Sequence, residues 1–335
     1  MPEQQTTVGS RRPLVGVVPL LLTLGAGALL AWQSHVNAEL SDGAQSWLLA
    51  ALVSFTVGTL ALSAISFGRA SGREASRAVV ASLRSRSLSW WVLTAGVLSA
   101  AYVVMQSGTV TTLGVAVFSV AVISGMNVGS LFADRVRAGG DRGLAFTPRR
   151  LWAVAVSLLA AVVAVLPQLG GASSPPLVYV ALVFAAGVAA AIQLALTASV
   201  SDVGGDSPAA AWFLFVVAAA FLAVLSLLRG ELGSASLEQL RSTVVGSPGL
   251  LVGGLLGAAV VVTNAYVVPR TGVLVFTLSL IAGQLITALL IDLWQGALDG
   301  GWFVAVACLL MLLATAISAG ATLPRRRRVG DGTAA

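Results

Sequence analysis

GVLSAAYVVMQSGTVTTLGVAVFSVAVISGMNVGSLFAD, residues 96–134, and GLLGAAVVVTNAYVVPRTGVLVFTLSLIAGQLITALLID, residues 254–292, decide the fold. The two stretches align without a gap at a shift of 158, and 15 of 39 positions are identical. Apolar composition alone would give roughly a tenth, so the excess marks a duplicated unit. Matches between Leu or Val residues are expected in apolar sequence. Gly96/Gly254, Gly114/Gly272, Phe118/Phe276, Gly125/Gly283 and Asp134/Asp292 are not. Upstream the correspondence continues at a shift of 160: Gly27 meets Gly187, Gln33 meets Gln193, Asn37 meets Thr197, and Ser41-Asp42 meets Ser201-Asp202.

Both copies lie in a chain of 335 residues that is 57% hydrophobic and 10% charged. Soluble domains carry about 25% charged residues. Its apolar runs recur at the ~20-residue length that crosses a bilayer as helix. Spans are predicted near 13–36, 46–67, 88–107, 111–133, 150–167, 176–199, 209–229, 249–268, 271–292 and 301–323. These runs are too long for barrel strands, and only helices or closed barrels satisfy their backbones in lipid. The fold class expected is therefore an all-α polytopic membrane protein. The segment Ser10-Arg11-Arg12-Pro13 has the look of an export signal, but its apolar run continues to Trp32. A signal peptide's apolar region spans about 7–15 residues, so the run reads as the first span.

Arginine sets the orientation. All 19 basic residues are Arg, and basic residues concentrate in cytoplasmic loops. With the N-terminus inside, Arg11, Arg12, Arg69, Arg73, Arg77, Arg84, Arg86, Arg135, Arg137, Arg142, Arg149, Arg150, Arg270 and Arg325 to Arg328 are all cytoplasmic. Only Arg229 and Arg241 fall outside. Both termini are therefore expected in the cytoplasm of an inner-membrane, multi-pass protein, and the high pI of 10.9 needs no nucleic acid. Between Gly68 and Leu88, Arg69, Arg73, Arg77 and Arg84 share one helical face, which fits either an interfacial helix or a solvated loop.

Five spans per half is an odd number, so the second half, residues 168–335, must enter the membrane upside down relative to the first, residues 1–167. Inverted repeats underlie the alternating access of many secondary transporters. At Gln33 and Asn37, and again at Ile281-Ala282-Gly283-Gln284 leading to Leu290-Ile291-Asp292, the sequence resembles the drug/metabolite transporter (DMT) superfamily, specifically its YdcZ-like branch. Members of that branch resemble a five-helix unit, single or fused in tandem. The resemblance implies two such units here, and a transporter with export as its direction. Each half keeps part of the pattern: Met126 stands where the second half has Gln284, and Thr197 where the first has Asn37.

No Asp, Glu or Arg lies near the middle of any expected span. This argues against a mid-membrane carboxylate relay and against a strongly charged substrate. The polar groups that remain are amides and hydroxyls, which either join helices or contact substrate. Gln33, Asn37, Tyr102, Gln106 and Asp292 fall toward the outer face, with His35. Gln193, Thr197, Asn127, Asp134 and Asn264 fall toward the inner face, and Gln284 is the most central. The expected translocation path thus comprises Gln33, Asn37, Tyr102, Gln106, Asn127, Gln193, Thr197, Asn264 and Gln284, with Asp134 and Asp292 as inner and outer gates. Asp292 is expected to pair with Arg229 or Arg241 or to cap backbone amides of a neighbouring loop. The fifth and tenth spans, nearly free of polar residues, are expected at the periphery.

The sequence contains no Walker motif, Rossmann fingerprint, catalytic triad or metal-ligand cluster, and Cys308 has no partner for a disulfide. Neither enzyme nor cofactor is expected. The expected partners are a small-molecule substrate and the lipid bilayer, with the chain a monomer or homodimer. The reading in a different class is a non-transporting or enzymatic polytopic membrane protein.

Overall fold

The protein's structure, a computed structural model, describes residues 17–137, 148–166, 177–271, 273–296 and 301–320. Every regular element there is helical. The helices are α1 (Val17–Ala44), α2 (Trp47–Gly68), α3 (Ala70–Arg84), α4 (Thr94–Leu113), α5 (Val115–Arg137), α6 (Pro148–Val165), α7 (Leu177–Gly204), α8 (Ser207–Leu228), α9 (Ser234–Gly246), α10 (Val252–Thr271), α11 (Val273–Trp294) and α12 (Gly301–Gly320). One-turn 3-10 segments at Trp90–Leu93 and Pro248–Leu251 lead into α4 and α10. The duplication is therefore structural as well as sequential. α1 and α7 are 28 residues each, α2 and α8 22, and α4 and α10 20.

Among the described residues, α2, α7, α8 and the stretch Trp90–Leu113 are long and apolar enough to cross a membrane. Residues 234–246 and 248–260 would form a fifth crossing only as one span bent by 105°. The bend separates α9 from α10. In α1 the apolar character is diluted by Gln33, Ser34, His35 and Asn37, all buried inside the protein.

Helices pack through glycines, and equivalent helices pack equivalently. A Cβ on Gly27 in α1 would collide with Leu280 O in α11, and one on Gly283 in α11 with Leu24 O. At the repeat-related crossing, also between the halves, Gly187 in α7 stands likewise against Val122 O in α5, and Gly125 in α5 against Phe184 O. Contacts advance together along both partners, from Gly125 at Phe184 to Gly129 at Val188 in one crossing and from Gly27 at Gln284 to His35 at Gln295 in the other, so both pairs run parallel. Only glycine permits backbones this close.

The pair α2 and α8 is antiparallel, and its ends are fastened reciprocally. Ser46 caps α2, its Oγ accepting from Leu49 N at 3.0 Å, and donates to Glu231 just beyond α8. Asp206 caps α8, its Oδ1 accepting from Ala209 N at 3.0 Å, and meets Arg69 just beyond α2 at 3.2 Å. Ser46 and Asp206 are equivalent positions of the repeat, as are Arg69 and Arg229; the latter pairs with Glu231 at 3.3 Å. α6 and α12 pack on each other and on α5 and α11, at one side of the bundle. Their outer faces expose Trp152, Leu159, Trp302 and Leu309, while Cys308 and Met311 are buried in the seam.

Three local features differ from the expected spans. α1 runs to Ala44, two turns beyond the apolar window, because its polar residues bury against α4 and α10 instead of ending the helix. The break between the third and fourth long helices falls at Gly114 instead of near 108–110, because Gly114 takes a φ of +80° that other residues resist. The segment after α2 is a helix, α3. Its face of Gly72, Ala75, Ser76 and Val79 is buried against the bundle, and its arginines face out.

Candidate functional site

The polar cluster of the first half is assembled from α1 and α4. Asn37 Nδ2 donates to Gln106 Oε1 at 2.8 Å, and Gln106 Nε2 donates to Ser34 Oγ at 2.7 Å. All three residues are fully buried. Tyr102, one turn before Gln106, lies 6.1 Å from Phe118, ring to ring. Asn37 Oδ1 is buried with no hydrogen-bond partner, turned toward Gly253 of α10. Gln33, one turn earlier on the same face, lies beside Gly257. A buried amide oxygen without a partner costs about 1–3 kcal/mol, a deficit that an incoming donor would relieve.

Gln284 sits on α11 beside the Gly27 crossing, 4% exposed, its Nε2 3.5 Å from Ser119 Oγ of α5. In the second half, Gln193 Nε2 donates to Thr197 Oγ1 at 3.0 Å, and Thr197 Oγ1 donates back to Gln193 O at 2.9 Å. Both residues are half-buried. Asn127 turns elsewhere: its Nδ2 lies 3.8 Å from Met311 Sδ on α12. Asn264 and Asp134 lie on α10 and α5, but their side chains are outside the described residues.

Asp292 is 2% exposed near the end of α11. Its Oδ1 accepts from Val115 N and its Oδ2 from Ala116 N, both at 2.8 Å. These are the opening amides of α5, freed by the turn at Gly114. The carboxylate thus meets the positive end of a neighbouring helix dipole. Arg229 and Arg241 are engaged elsewhere, with Glu231 and Glu238. His35 is buried beside it in the fold, with Nε2 3.3 Å from Glu39 Oε1 and Nδ1 3.4 Å from Gln295 Nε2. No cluster of three metal-ligating side chains occurs among the described residues.

Ser34 and Ser119 are the partners that sequence reasoning missed. A helical serine ordinarily satisfies itself on its own i−4 carbonyl, as Ser34 also does on Leu30 O. Nothing in the sequence marks it as a partner for Gln106.

The family model described as "Putative inner membrane exporter, YdcZ" matches residues 18–163 and again residues 178–317. The chain belongs to the YdcZ family. Two matches in tandem make it a double YdcZ unit of the DMT type, and a multi-pass transporter of the inner membrane. The first matched region holds Gln33, Asn37 and Gln106; the second holds Gln193, Gln284 and Asp292. No curated protein matches this YdcZ chain. A solved structure described only as "Crystal structure of protein" aligns with it at 16% identity and a TM-score of 0.45, covering 90% of this chain and 96% of that one.

Proposed function

We propose that the protein exports a small, uncharged or weakly charged metabolite or drug-like molecule by alternating access. Ten spans would form two inverted five-helix units, residues 1–167 and 168–335, with both termini in the cytoplasm. The antiparallel pairing of α2 with its equivalent α8 supports this reading, as does the parallel pairing of α1 with α11 and of α5 with α7, which ten alternating spans require. Equivalent helices that span a membrane and lie antiparallel are related by a two-fold axis in the membrane plane.

One observation carries the mechanism: two positions equivalent by sequence are in different states. Asn37 is fully buried and tied across to α4, whereas Thr197 is half-buried and, among the described residues, hydrogen-bonds within α7. On the orientation expected from the arginines, the outer mouth is sealed while the inner one is looser. Exchange of these two states would carry the site from one face to the other. Gln33, Asn37, Tyr102, Gln106, Gln193, Thr197, Asn264 and Gln284 would line the path, with the Asn37 carbonyl offering an unpaired acceptor. Asn127 would join them from α5, its Nδ2 3.8 Å from Met311 Sδ of α12. Asp292 would hold the outer gate by binding the start of α5, and Asp134 would serve the inner one.

Ser41 and Ser201, equivalent and at opposite mouths, test this. Ser41 is buried and Ser201 half-exposed. In a Cys308→Ala background, Ser201→Cys should react with an impermeant thiol reagent from the cytoplasmic side, and Ser41→Cys should resist it from the outside. Substrate found by screening efflux in everted vesicles, with and without a proton gradient, should shift both rates in opposite directions. Equal reactivity of the two cysteines, unchanged by any transported compound, would sink the mechanism.

A further inference from the structure

An open groove of about 520 Å³ lies between α3, the end of α2 and the first turns of α8. Its α3 wall carries Arg73, Arg77 and Arg84, and the facing wall is aromatic, with Phe67, Trp212 and Phe213. Trp212 is held in place: its Nε1 donates to Ser63 Oγ at 2.8 Å, and its ring meets Phe67 edge-on at 4.9 Å. Arg73 donates to Phe67 O at 2.7 Å. Among the described residues, none of the three guanidiniums forms a salt bridge. Asp206 is taken by Arg69, and no acid, the neighbouring Glu74 of α3 included, lines the groove.

We propose that this groove binds the phosphate headgroup of an anionic phospholipid of the cytoplasmic leaflet, its acyl chains lying down α8. This rests on the proposed orientation. The groove sits where two apolar helices, α2 ending and α8 beginning, would cross the headgroup layer, and its aromatic wall suits that depth. A cationic strip beside an apolar descent matches a lipid more closely than a soluble anion, which has no use for the aromatic wall. The repeat supplies an internal comparison. α9 stands where α3 does in the other half. It carries only Arg241, neutralised by Glu238 at 3.0 Å, and buries no residue against the bundle. The cationic groove thus belongs to one face only, the face the arginine distribution assigns to the anionic inner leaflet.

The test uses the full chain in detergent, titrated with dioleoylphosphatidylglycerol or dioleoylphosphatidylcholine and read by native mass spectrometry. Wild type should retain phosphatidylglycerol and release phosphatidylcholine. Arg77→Gln should weaken phosphatidylglycerol binding about fivefold, and Arg77→Gln with Arg84→Gln about 30-fold, at roughly one surface cation's worth each. Arg241→Gln should change nothing. Equal retention of the two lipids by wild type overturns the proposal without any variant. Unchanged binding by a double variant that elutes and melts like wild type also overturns it. Displacement of the lipid by millimolar inorganic phosphate would make the groove a phosphate site and overturn it too. Binding in detergent does not depend on sidedness. A reporter after Arg86 that signals the periplasm would therefore fail the orientation and leave the lipid titration intact.

Discussion

Gly27 and Gly25 are two residues apart on the same helix, and alanine at each should act in opposite directions. At Gly25 an added Cβ meets nothing within 4 Å. Alanine there only gains helix propensity, worth up to about 1 kcal/mol over glycine. At Gly27 the same methyl would stand 2.7 Å from Gln284 N and closer still to Leu280 O. Both are backbone atoms that cannot rotate away. Carbon contacts are comfortable at about 3.5–4.0 Å, so α1 and α11 would have to part by on the order of 1 Å. Overpacking of this kind costs about 1–3 kcal/mol, and the upper half of that range is expected because the obstacle is main chain. Thermal unfolding of the purified protein, followed by intrinsic fluorescence or light scattering, measures the pair. Gly25→Ala should melt at or above wild type and Gly27→Ala several degrees below. Gly187→Ala should copy Gly27→Ala, since it meets Val122 O in the same way and Met126 N at 3.0 Å. Equal melting of Gly25→Ala and Gly27→Ala would refute the close crossing. A large loss at Gly27 with none at Gly187 would refute the equivalence of the two crossings.

Gln284→Leu should lower transport of an identified substrate while expression and melting stay near wild type; normal transport would make Gln284 a packing residue. Asn37→Leu should cost about 1–3 kcal/mol by leaving Gln106 Oε1 buried without a donor, and adding Gln106→Leu should cost less than the two single changes summed, as a double-mutant cycle would read. Asp292→Asn keeps one acceptor for α5 and loses the charge, for about 1 kcal/mol; it should raise the reactivity of Ser41→Cys from outside, and no change there would remove Asp292 from the gate. Gly114→Ala should destabilise by about 1–2 kcal/mol, because its φ of +80° is left-handed.

The large features were readable because they repeat or because lipid demands them. Gly27, Gly187, Gly125 and Gly283 stood out as duplicated glycines, and all four are crossing points. The peripheral place of α6 and α12 followed from their lack of polar side chains. Boundaries were less readable where tertiary contacts override hydropathy. α1 stays helical through Asn37 and Ser41 because those side chains are buried by other helices, which the apolar window cannot register. α9 has no apolar face to announce it. At the site, the amides were visible as rare residues in apolar helices, but their partners were not. Ser34, Ser119 and the opening amides of α5 belong to common residue types or to the backbone, and only the fold brings them near Gln106, Gln284 and Asp292.

The reciprocal fastening of α2 and α8 also bears on how the chain is made. The hydroxyl that starts α2, on Ser46, finds its carboxylate 185 residues later in the order of synthesis, and Arg69 waits 137 residues for Asp206. At about 5–20 residues per second, a ribosome needs roughly 10–40 s to supply the first of these partners. Throughout that interval the leading half must remain in the membrane with two of its ends unanswered. Neither half is then a finished object that docks with the other. The last fasteners close only when the trailing half emerges, so a chain cut between the halves should depend on simultaneous supply of both pieces far more than on the strength of either.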